Sequence, residues 1–389
     1  MKQGWDIKKL KDVTSLITDG DWIESRHQSE DGIRLIQTGN VGNGFFKAKD
    51  DKPHFISEGT FDILGCTEIF EGDCLVSRLP DPVGRACLIP EMDCRMITAV
   101  DCSIIRFNEI LVPDFFVYYS QSSKYQNEIS NKTTGTTRKR VSRKNLEMIP
   151  IPVPPIAEQE KIVAELDCLS GIIEKKKQQL KELDNLAQSI FYEMFVPESK
   201  NWEKMKLIDI YKFIDYRGKT PTKILEGIPL ITARNIRRGY IDYSVKEYIS
   251  EEEFAGRQSR GIAQKGDLLF TTEAPMGYVA IADLEVFSTG QRLITFQKKH
   301  TIDVNNTYVL HYLLSDEFQM ELNNQATGAT VKGIKGSKLE QMLIDCPPMQ
   351  LQKDFASKIE VIEKQKELIA QSIKETETLF NSHMDYYFN

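Results

Sequence analysis

Residues 154–169 read PPIAEQEKIVAELDCL, and residues 347–362 read PPMQLQKDFASKIEVI. The two stretches lie 193 residues apart in a chain of 389 residues. Each Pro-Pro pair opens a run of about 40 residues with helical periodicity, and each run follows a globular stretch of about 150 residues. This order of globule, helix, globule, helix predicts a duplicated protein with two similar heads.

The duplication also extends through the globular stretches. GIRLIQTGNV (32–41) matches GIPLITARNI (227–236), and GDCLVSR (72–78) matches GDLLFTT (266–272). The matched blocks keep their order, while the offset between them shrinks from 197 at the Trp5 and Trp202 openings to 193. A gene duplication followed by small loop deletions would leave this pattern.

The composition is that of a globular protein without a membrane span. The chain is 41% hydrophobic and 28% charged, which is ordinary for a folded domain. No run reaches the roughly 18 consecutive apolar residues that a membrane helix needs, and the N-terminus lacks the apolar core of a signal peptide. We therefore expect a cytoplasmic protein. Its seven cysteines include no CxxC pair, so we expect free, packed thiols rather than disulfides or a zinc ribbon.

The net charge of −7 is unevenly distributed. Residues 151–199 hold 5 Lys and Arg against 9 Asp and Glu, and residues 347–389 hold 5 against 7. The globular stretches are therefore close to neutral, and local basic clusters on them can face phosphates.

Both helical runs carry a narrow apolar seam with alternating spacings of four and three residues, which is the pattern of a coiled coil. We predict a helix from Ile156 to Phe195 and an antiparallel pairing of the two runs. The alternative is that each helix packs on its own globule. The second run is irregular after Thr376, which predicts a weaker seam there. The predicted seam residues are Ile162, Leu166, Leu169, Ile173, Leu180, Leu183, Phe355, Ile359, Ile362, Ile369 and Ile373.

The globular stretches indicate mixed helix and sheet, so the predicted fold class is α+β with an internal pseudo-two-fold repeat. Short apolar runs that end at Gly or Asn are typical of strands. Residues 113–125 and 307–318 have aromatic and apolar residues at helical spacing. We interpret these aromatic stripes as core rather than as stacking platforms.

Two Gly- and Thr-rich basic loops are candidates for nucleic-acid binding, because hydroxyls, backbone amides and cations together suit phosphate oxygens. They occupy matching places just before each helical run. The candidates in the first loop are Thr134, Gly135, Thr136, Arg138, Lys139, Arg140 and Arg143, and those in the second are Thr327, Gly328, Thr330, Lys332 and Lys335.

A second pair of matched loops carries side chains that can read bases, since Arg pairs with guanine and Asn or Gln with adenine. For each single side chain, a solvated surface residue remains the alternative. The candidates are Gln37, Thr38 and Asn40 in the first globule, Arg234, Asn235, Arg237 and Arg238 in the second, and additionally Arg78, Arg217 and Lys219.

Motifs for catalysis are missing from the sequence. It contains no GxxxxGK[ST], no GxGxxG between a strand and a helix, no GxSxG and no metal-ligand spacing of histidines. The Asn/Asp-Pro-Pro-aromatic motif of amino-methyltransferases is also missing, because Val153 and Cys346 precede the Pro-Pro pairs. We therefore predict no catalytic residue, no metal and no bound cofactor.

The chain resembles, over its whole length, the specificity subunit of type I restriction-modification systems. The motifs that carry this resemblance are the W-x₄-L-x-[DE] openings at Trp5 and Trp202, the PP-[IM]-x-x-Q-x-x-[IF] entries at Pro154 and Pro347, and the TG-[TA]-T loops at Gly135 and Gly328.

The resemblance implies target-recognition domains at 1–153 and 199–346, and long spacer helices at 154–198 and 347–389. Each domain would bind half of a bipartite site in double-stranded DNA, and the helices would dock DNA methyltransferase subunits. A restriction and translocation subunit would complete the complex. S-adenosylmethionine, ATP and Mg²⁺ would be bound by those partners and not by this chain. The alternatives are a protein-interaction scaffold that does not bind DNA and a single-chain enzyme of a new type.

Overall fold

The computed structural model describes residues 4–196, 202–216, 218, 220–257, 260–299, 302–328 and 332–389. The chain forms two compact units, one made of Met1–Lys176 with Ser372–Asn389 and the other of Lys177–Gln371. Each unit thus combines one globule with half of each long helix. The predicted α+β class and the internal repeat are confirmed. Across the described residues, no helix has both the length and the apolar content that crossing a membrane requires.

The first unit contains thirteen strands among its described residues. They are β1 Asp6–Lys9, β2 Thr14–Asp19, β3 Gln28–Ser29, β4 Ile33–Ile36, β5 Phe55–Ile56, β6 Glu68–Ile69, β7 Cys74–Ser77, β8 Ala86–Leu88, β9 Met96–Thr98, β10 Cys102–Phe107, β11 Thr133–Thr134, β12 Arg140–Val141 and β13 Pro150–Val153. They form sheets with the orders β2-β10-β7-β8 and β3-β5-β4-β9-β6, and the pairs β1-β13 and β11-β12. Its short helices are α1 Glu58–Leu64, α2 Pro113–Ser120, α3 Ser123–Lys132 and α4 Arg143–Glu147.

The second unit repeats this frame. Its strands are β14 Glu203–Lys206, β15 Tyr211–Asp215, β16 Ile228–Ile231, β17 Tyr248–Ile249, β18 Leu268–Thr271, β19 Val279–Ile281, β20 Ser288–Thr289, β21 Leu293–Lys298 and β22 Leu343–Cys346. The sheet β15-β21-β18-β19 corresponds to β2-β10-β7-β8, and β16 has one parallel and one antiparallel neighbour, as β4 has. Its short helices are α6 Leu207–Ile210, α7 Glu251–Arg257, α8 Asn306–Leu314, α9 Asp316–Gln325 and α10 Gly336–Leu339.

Each aromatic stripe forms two helices instead of one. The hydroxyl of Ser122 accepts from the Tyr125 amide and begins α3, and the hydroxyl of Ser315 accepts from the Phe318 amide and begins α9. Both serines are therefore N-caps, which the periodicity alone did not reveal. The rings of Phe115, Phe116, Tyr119, Tyr125 and Tyr308 are fully buried, so the prediction that these stripes are core is confirmed.

The long helices are α5, Ile156–Phe195, and α11, Met349–Phe388. The bounds predicted for the first are confirmed. Within the first unit, Glu165 of α5 accepts a hydrogen bond from the Tyr387 hydroxyl, and Lys176 donates to Ser372 and Thr376. The partner residue number falls as the α5 number rises, so these two segments run antiparallel.

The second unit shows the same antiparallel pairing. The Lys366 ammonium lies 2.8 Å from the Asp184 carboxylate. Phe355 packs against Phe191 and Phe195, with ring centroids 5.8 and 5.2 Å apart. The predicted antiparallel pairing is therefore found in each unit.

Seam residues are most deeply buried where the helices contact a globule. Ile162, Leu166, Phe355, Ile359 and Ile362 are buried in the cores of their units. Ile373 is also buried, whereas the remaining seam residues are half-buried, as expected where only two helices meet. They are Leu169, Ile173, Leu180, Leu183 and Ile369.

Two expectations about the helices need correction. The seam does not weaken after Thr376, because Met384 and Phe388 are buried in the first unit's core with Phe380 packed against it. Phe191 and Phe195, which lie outside the predicted seam, are buried against Tyr308 of the second globule. Each helix therefore packs both on the other helix and on a globule, since its end segments have a wider apolar face than the seam pattern indicates.

A buried glutamine attaches the start of each long helix to its globule. The Gln159 amide accepts from the Val112 nitrogen at 2.8 Å and donates to the carbonyls of Ile110 and Pro154. Gln352 accepts from the Asn305 nitrogen at 2.9 Å and donates to the Pro347 carbonyl at 2.8 Å. The glutamine of the Pro-Pro motif is thus a structural residue in both repeats.

One buried carboxylate differs between the repeats. In the first unit Asp73 forms two hydrogen bonds with the guanidinium of Arg106, at 2.8 and 2.9 Å. Asp267 is the matching residue, but its hydrogen-bonded neighbours are the Gln264 amide and the neutral side chain of Gln297. Burial raises the pKa of Asp267 to about 6.

We expect this carboxyl to make stability depend on pH. A carboxyl with a pKa raised on folding stabilises the fold only at acid pH, and that contribution is lost as pH rises through the folded-state pKa. The unfolding free energy of Asp267→Asn minus that of the unaltered chain should therefore grow between about pH 4 and pH 6 and level off above. Urea unfolding at a series of pH values measures it.

The control is Asp73→Asn. This change leaves Arg106 without its carboxylate, so it should destabilise the chain at neutral pH, where Asp267→Asn should stabilise it. A difference for Asp267→Asn that stays flat from pH 4 to 7 would contradict the raised pKa.

Candidate nucleic-acid interface

The first basic loop is a short β-hairpin. Thr133 pairs with Val141 and Thr134 with Arg140, so residues 135–139 form the tip. Gly135 has φ +98°, and a Cβ there would lie 2.5 Å from the Arg138 carbonyl oxygen. Glycine is needed for this turn because other residues rarely adopt a positive φ and would also clash. The tip is exposed along its length.

The cations of this hairpin divide into two groups. Arg138 and Lys139 are exposed, and among the described residues neither has a hydrogen-bond or ion-pair partner. Arg140 lies 3.0 Å from Asp101, and Arg143 lies 3.4 Å from Glu147. The tip therefore presents two free positive charges, whereas Arg140 at the base of the hairpin and Arg143 at the start of α4 are each paired with a carboxylate.

The second repeat places an equivalent loop in the same position. Thr327 and Gly333 exchange two backbone hydrogen bonds of 2.9 Å, and Gly328 has φ +111°. Lys332 and Lys335 are exposed, while Thr330 lies outside the described residues.

Both hairpins dock on the same strand of their sheet. In the first repeat the amide of Val141 donates to the Arg78 carbonyl at 3.2 Å, immediately after β7. In the second, the amide of Ile334 donates to the Thr272 carbonyl at 3.0 Å, immediately after β18. The two loops predicted from sequence therefore dock at matching places, as judged from the residues of each loop that the structure describes.

Two predicted base-reading residues have another role. Asn40 is buried, accepts from the Gln37 nitrogen and donates to the carbonyls of Lys47 and Ala48. Asn235 is fully buried, accepts from the nitrogen and hydroxyl of Thr232 and donates to two carbonyls. Since these amides are already bonded inside the protein, they hold the loops in shape and cannot reach a base.

Arg78 also needs correction as a DNA contact. It is only 4% exposed, and its guanidinium lies 3.1 Å from Asp19 and donates to the Val100 carbonyl. Arg85 is buried beside it and donates to four carbonyl oxygens. Both arginines organise the loops below the surface. Asp19 and Asp101 could not be recognised from the sequence, because each lies far along the chain from the arginine that it pairs with.

The other loop candidates lie at or near the surface. Gln37 and Thr38 are half-buried in the turn that Asn40 holds. Arg234 is 69% exposed and lies 3.3 Å from Glu247, and Arg237 lies 2.7 Å from Asp242. Arg238 is exposed and donates to the Leu314 carbonyl at 3.0 Å. Arg217 and Lys219 lie outside the described residues.

A comparison with known protein families gives a match that covers both repeats of the chain. A family model, the type I restriction modification DNA specificity domain, matches residues 2–185 and 199–378. The scaffold alternative does not explain this match.

Two relatives align over nearly the whole chain. The type I restriction enzyme EcoKI specificity subunit of Escherichia coli K12 is 22% identical, over 92% of this chain and 82% of that protein. A putative type I restriction enzyme MjaX specificity subunit of Methanocaldococcus jannaschii is 21% identical, over 96% and 91%.

Solved structures share the fold. A chain from a structure of a type I restriction-modification system has a TM-score of 0.60 at 18% identity, covering 100% of this chain and 98% of its own. The crystal structure of the S subunit from M. genitalium has a TM-score of 0.55 at 11% identity, covering 99% and 96%.

We expect Arg138→Ala combined with Lys139→Ala to weaken binding to duplex DNA of any sequence. Each lost phosphate contact should reduce the salt slope of log K by about 0.9, so the double variant should be less steep by up to about 2. Titration of labelled duplexes at several salt concentrations measures it. As a charge-matched control, Lys358→Ala with Lys364→Ala removes two exposed cations from α11. An unaltered slope in the hairpin variant would contradict the phosphate role.

Proposed function

Because the chain belongs to the family of the type I restriction modification DNA specificity domain, we propose that it selects the DNA sequence on which a restriction-modification complex acts. Each globule binds one half of a bipartite site in double-stranded DNA. The observation that carries this proposal is the pair of equivalent hairpins, each docked on the same strand of its repeat and each presenting exposed cations.

The long helices fix the spacer between the half-sites in this proposal. Each spans 40 residues without a break and supplies residues to both units. At 1.5 Å per residue, such a helix is about 60 Å long. Two heads on a rigid connection multiply their specificities, because binding of one head sets the effective concentration of the other.

Methyl transfer, DNA translocation and cleavage belong to partner subunits, which bind S-adenosylmethionine, ATP and Mg²⁺. Support for docking of two copies of one partner comes from Leu186 of α5 and Leu379 of α11. They stand at equivalent positions of the two repeats, and each is 47% exposed. Covering an exposed leucine with a partner removes apolar area from water, which stabilises the contact.

The function is tested by co-expressing the chain with its methyltransferase subunit and mapping methylated bases in the host DNA. We expect a split motif of two short half-sites around a fixed gap. A stable complex with a competent methyltransferase but no sequence-dependent methylation would contradict the proposal.

The same map tests the spacer role. Seven residues inserted after Lys176 in α5 and seven after Gln371 in α11 fall at the boundary between the units and leave the contacts within each unit in place. We expect unchanged half-sites with a longer gap. Changed half-site sequences, or an unchanged gap, would count against the helices as spacers.

We expect Leu186→Glu and Leu379→Glu each to remove one methyltransferase subunit from the complex, because a carboxylate buried in an apolar interface loses its hydration. Light scattering after size-exclusion chromatography gives the mass of each complex. The control Gln178→Glu adds the same charge at an exposed position of α5. Full-mass complexes from both leucine variants would exclude this docking surface.

A further inference from the structure

The indole ring of Trp22 is largely exposed to solvent. Its side chain is 67% exposed, and its indole nitrogen donates to the Glu24 carboxylate at 3.2 Å. The other two tryptophans, Trp5 and Trp202, are partly buried against the cores of their units. A solvent-exposed indole offers a large apolar area together with a polar N–H, and tryptophan is enriched at binding surfaces for this reason.

The backbone beneath this ring is fixed in place. The Asp21 amide donates to the Thr98 carbonyl at 2.8 Å, and the Val100 amide donates to the Asp21 carbonyl at 2.9 Å. Gly20 lies so close to this neighbouring loop that a Cβ would be 2.4 Å from the Ala99 carbonyl oxygen. Trp22 therefore extends from a rigid support, and little backbone ordering is lost when its ring binds something.

The same support carries the basic hairpin. Asp101, which follows Val100, lies 3.0 Å from Arg140 of the hairpin, and its carbonyl accepts from the Arg78 amide at 2.9 Å. Asp19, at the end of the strand that leads to Trp22, lies 3.1 Å from the Arg78 guanidinium. The indole and the hairpin cations thus belong to one edge of the first unit.

The two kinds of group on this edge do different things to DNA. Cations contact phosphates and position a duplex without reading it, whereas apolar side chains in a groove contact bases. In the second repeat, the strand register matches Asp19 with Asp215, and the third residue after Asp215 is Gly218, whereas the third after Asp19 is Trp22. The first repeat therefore has an aromatic group that its counterpart lacks.

We propose that Trp22 is a specificity-determining residue of the first target-recognition domain, making an apolar contact with a base of the first half-site. This inference rests on the proposed function. The hairpin cations hold the duplex, and the indole distinguishes the base at one or two positions.

The experiment uses the full chain in complex with its methyltransferase subunits. Trp22→Ala should bind the cognate duplex roughly 10- to 100-fold more weakly, the range expected when recognition of one base pair is lost, and bind unrelated duplexes as tightly as before with an unchanged salt slope. In the methylation map, the first half-site should relax at one or two positions while the second stays the same.

A fluorescence measurement tests the contact directly. Binding of the cognate duplex should protect the exposed tryptophan from acrylamide quenching, and this protection should be absent in Trp22→Phe. The control Ile110→Ala removes another exposed apolar side chain of the same unit, beyond the opposite end of β10, and should bind as the unaltered chain does.

The possible outcomes distinguish a failure of the role given to Trp22 from a failure of the proposed function. A split methylation motif for the unaltered chain that is identical in Trp22→Ala would overturn the role of Trp22 alone. An equal loss of affinity on every duplex would overturn it as well, since that result shows positioning rather than base contact. If the unaltered chain gives no split motif, the proposed function fails first.

Discussion

A helix of 40 residues with a narrow apolar seam cannot bury that seam against one small globule, and the rest of this fold depends on that constraint. Each long helix buries the centre of its seam against the other helix and its ends in the cores of the units. Gln159 and Gln352 then fix where each helix begins, because their buried side-chain amides accept from the backbone nitrogens of Val112 and Asn305. An unpaired buried donor costs about 1–3 kcal/mol, so the position of the helix relative to its globule is strongly specified.

Polar side chains in the two pairs of matched loops have different roles, depending on whether they are buried or exposed. Asn40, Asn235 and Arg78 lie inside, where burial favours polar groups that have partners, and their bonds to backbone carbonyls and to Asp19 shape the loops. Arg138 and Lys139 lie at the tip of a two-stranded hairpin that has no core of its own. Among the described residues, neither has a hydrogen-bond or ion-pair partner. Charges without internal partners are the ones available to a phosphate.

The two repeats keep one frame and differ at its surfaces and pockets. The Tyr118 and Phe380 rings lie 6.2 Å apart in the first unit, whereas His311 and Ala187 occupy the equivalent positions in the second. There they line a cavity of about 750 Å³. Asp267 has lost the arginine that Asp73 retains. Such differences do not disturb the sheets, because backbone pairing and not these side chains defines the frame. A shared frame with different surfaces suits two heads that read different sequences.

Periodicities that one chain displays were enough to predict the repeat, the strands in the apolar runs of GIRLIQTGNV and GIPLITARNI, the bounds of α5 and the antiparallel pairing. The sequence also located both hairpins, since their Gly, Thr and cation pattern is local. The fold alone settled which polar side chains are buried, because burial depends on residues distant in the chain, such as Asp19 and Asp101. It also decided that Phe191, Met384 and Phe388 enter globular cores, and that Trp22 shares an edge with the hairpin. Contacts between residues far apart in the chain, such as Arg78 with Asp19 and Arg140 with Asp101, leave no pattern in a single sequence, and the folded backbone alone brings them together.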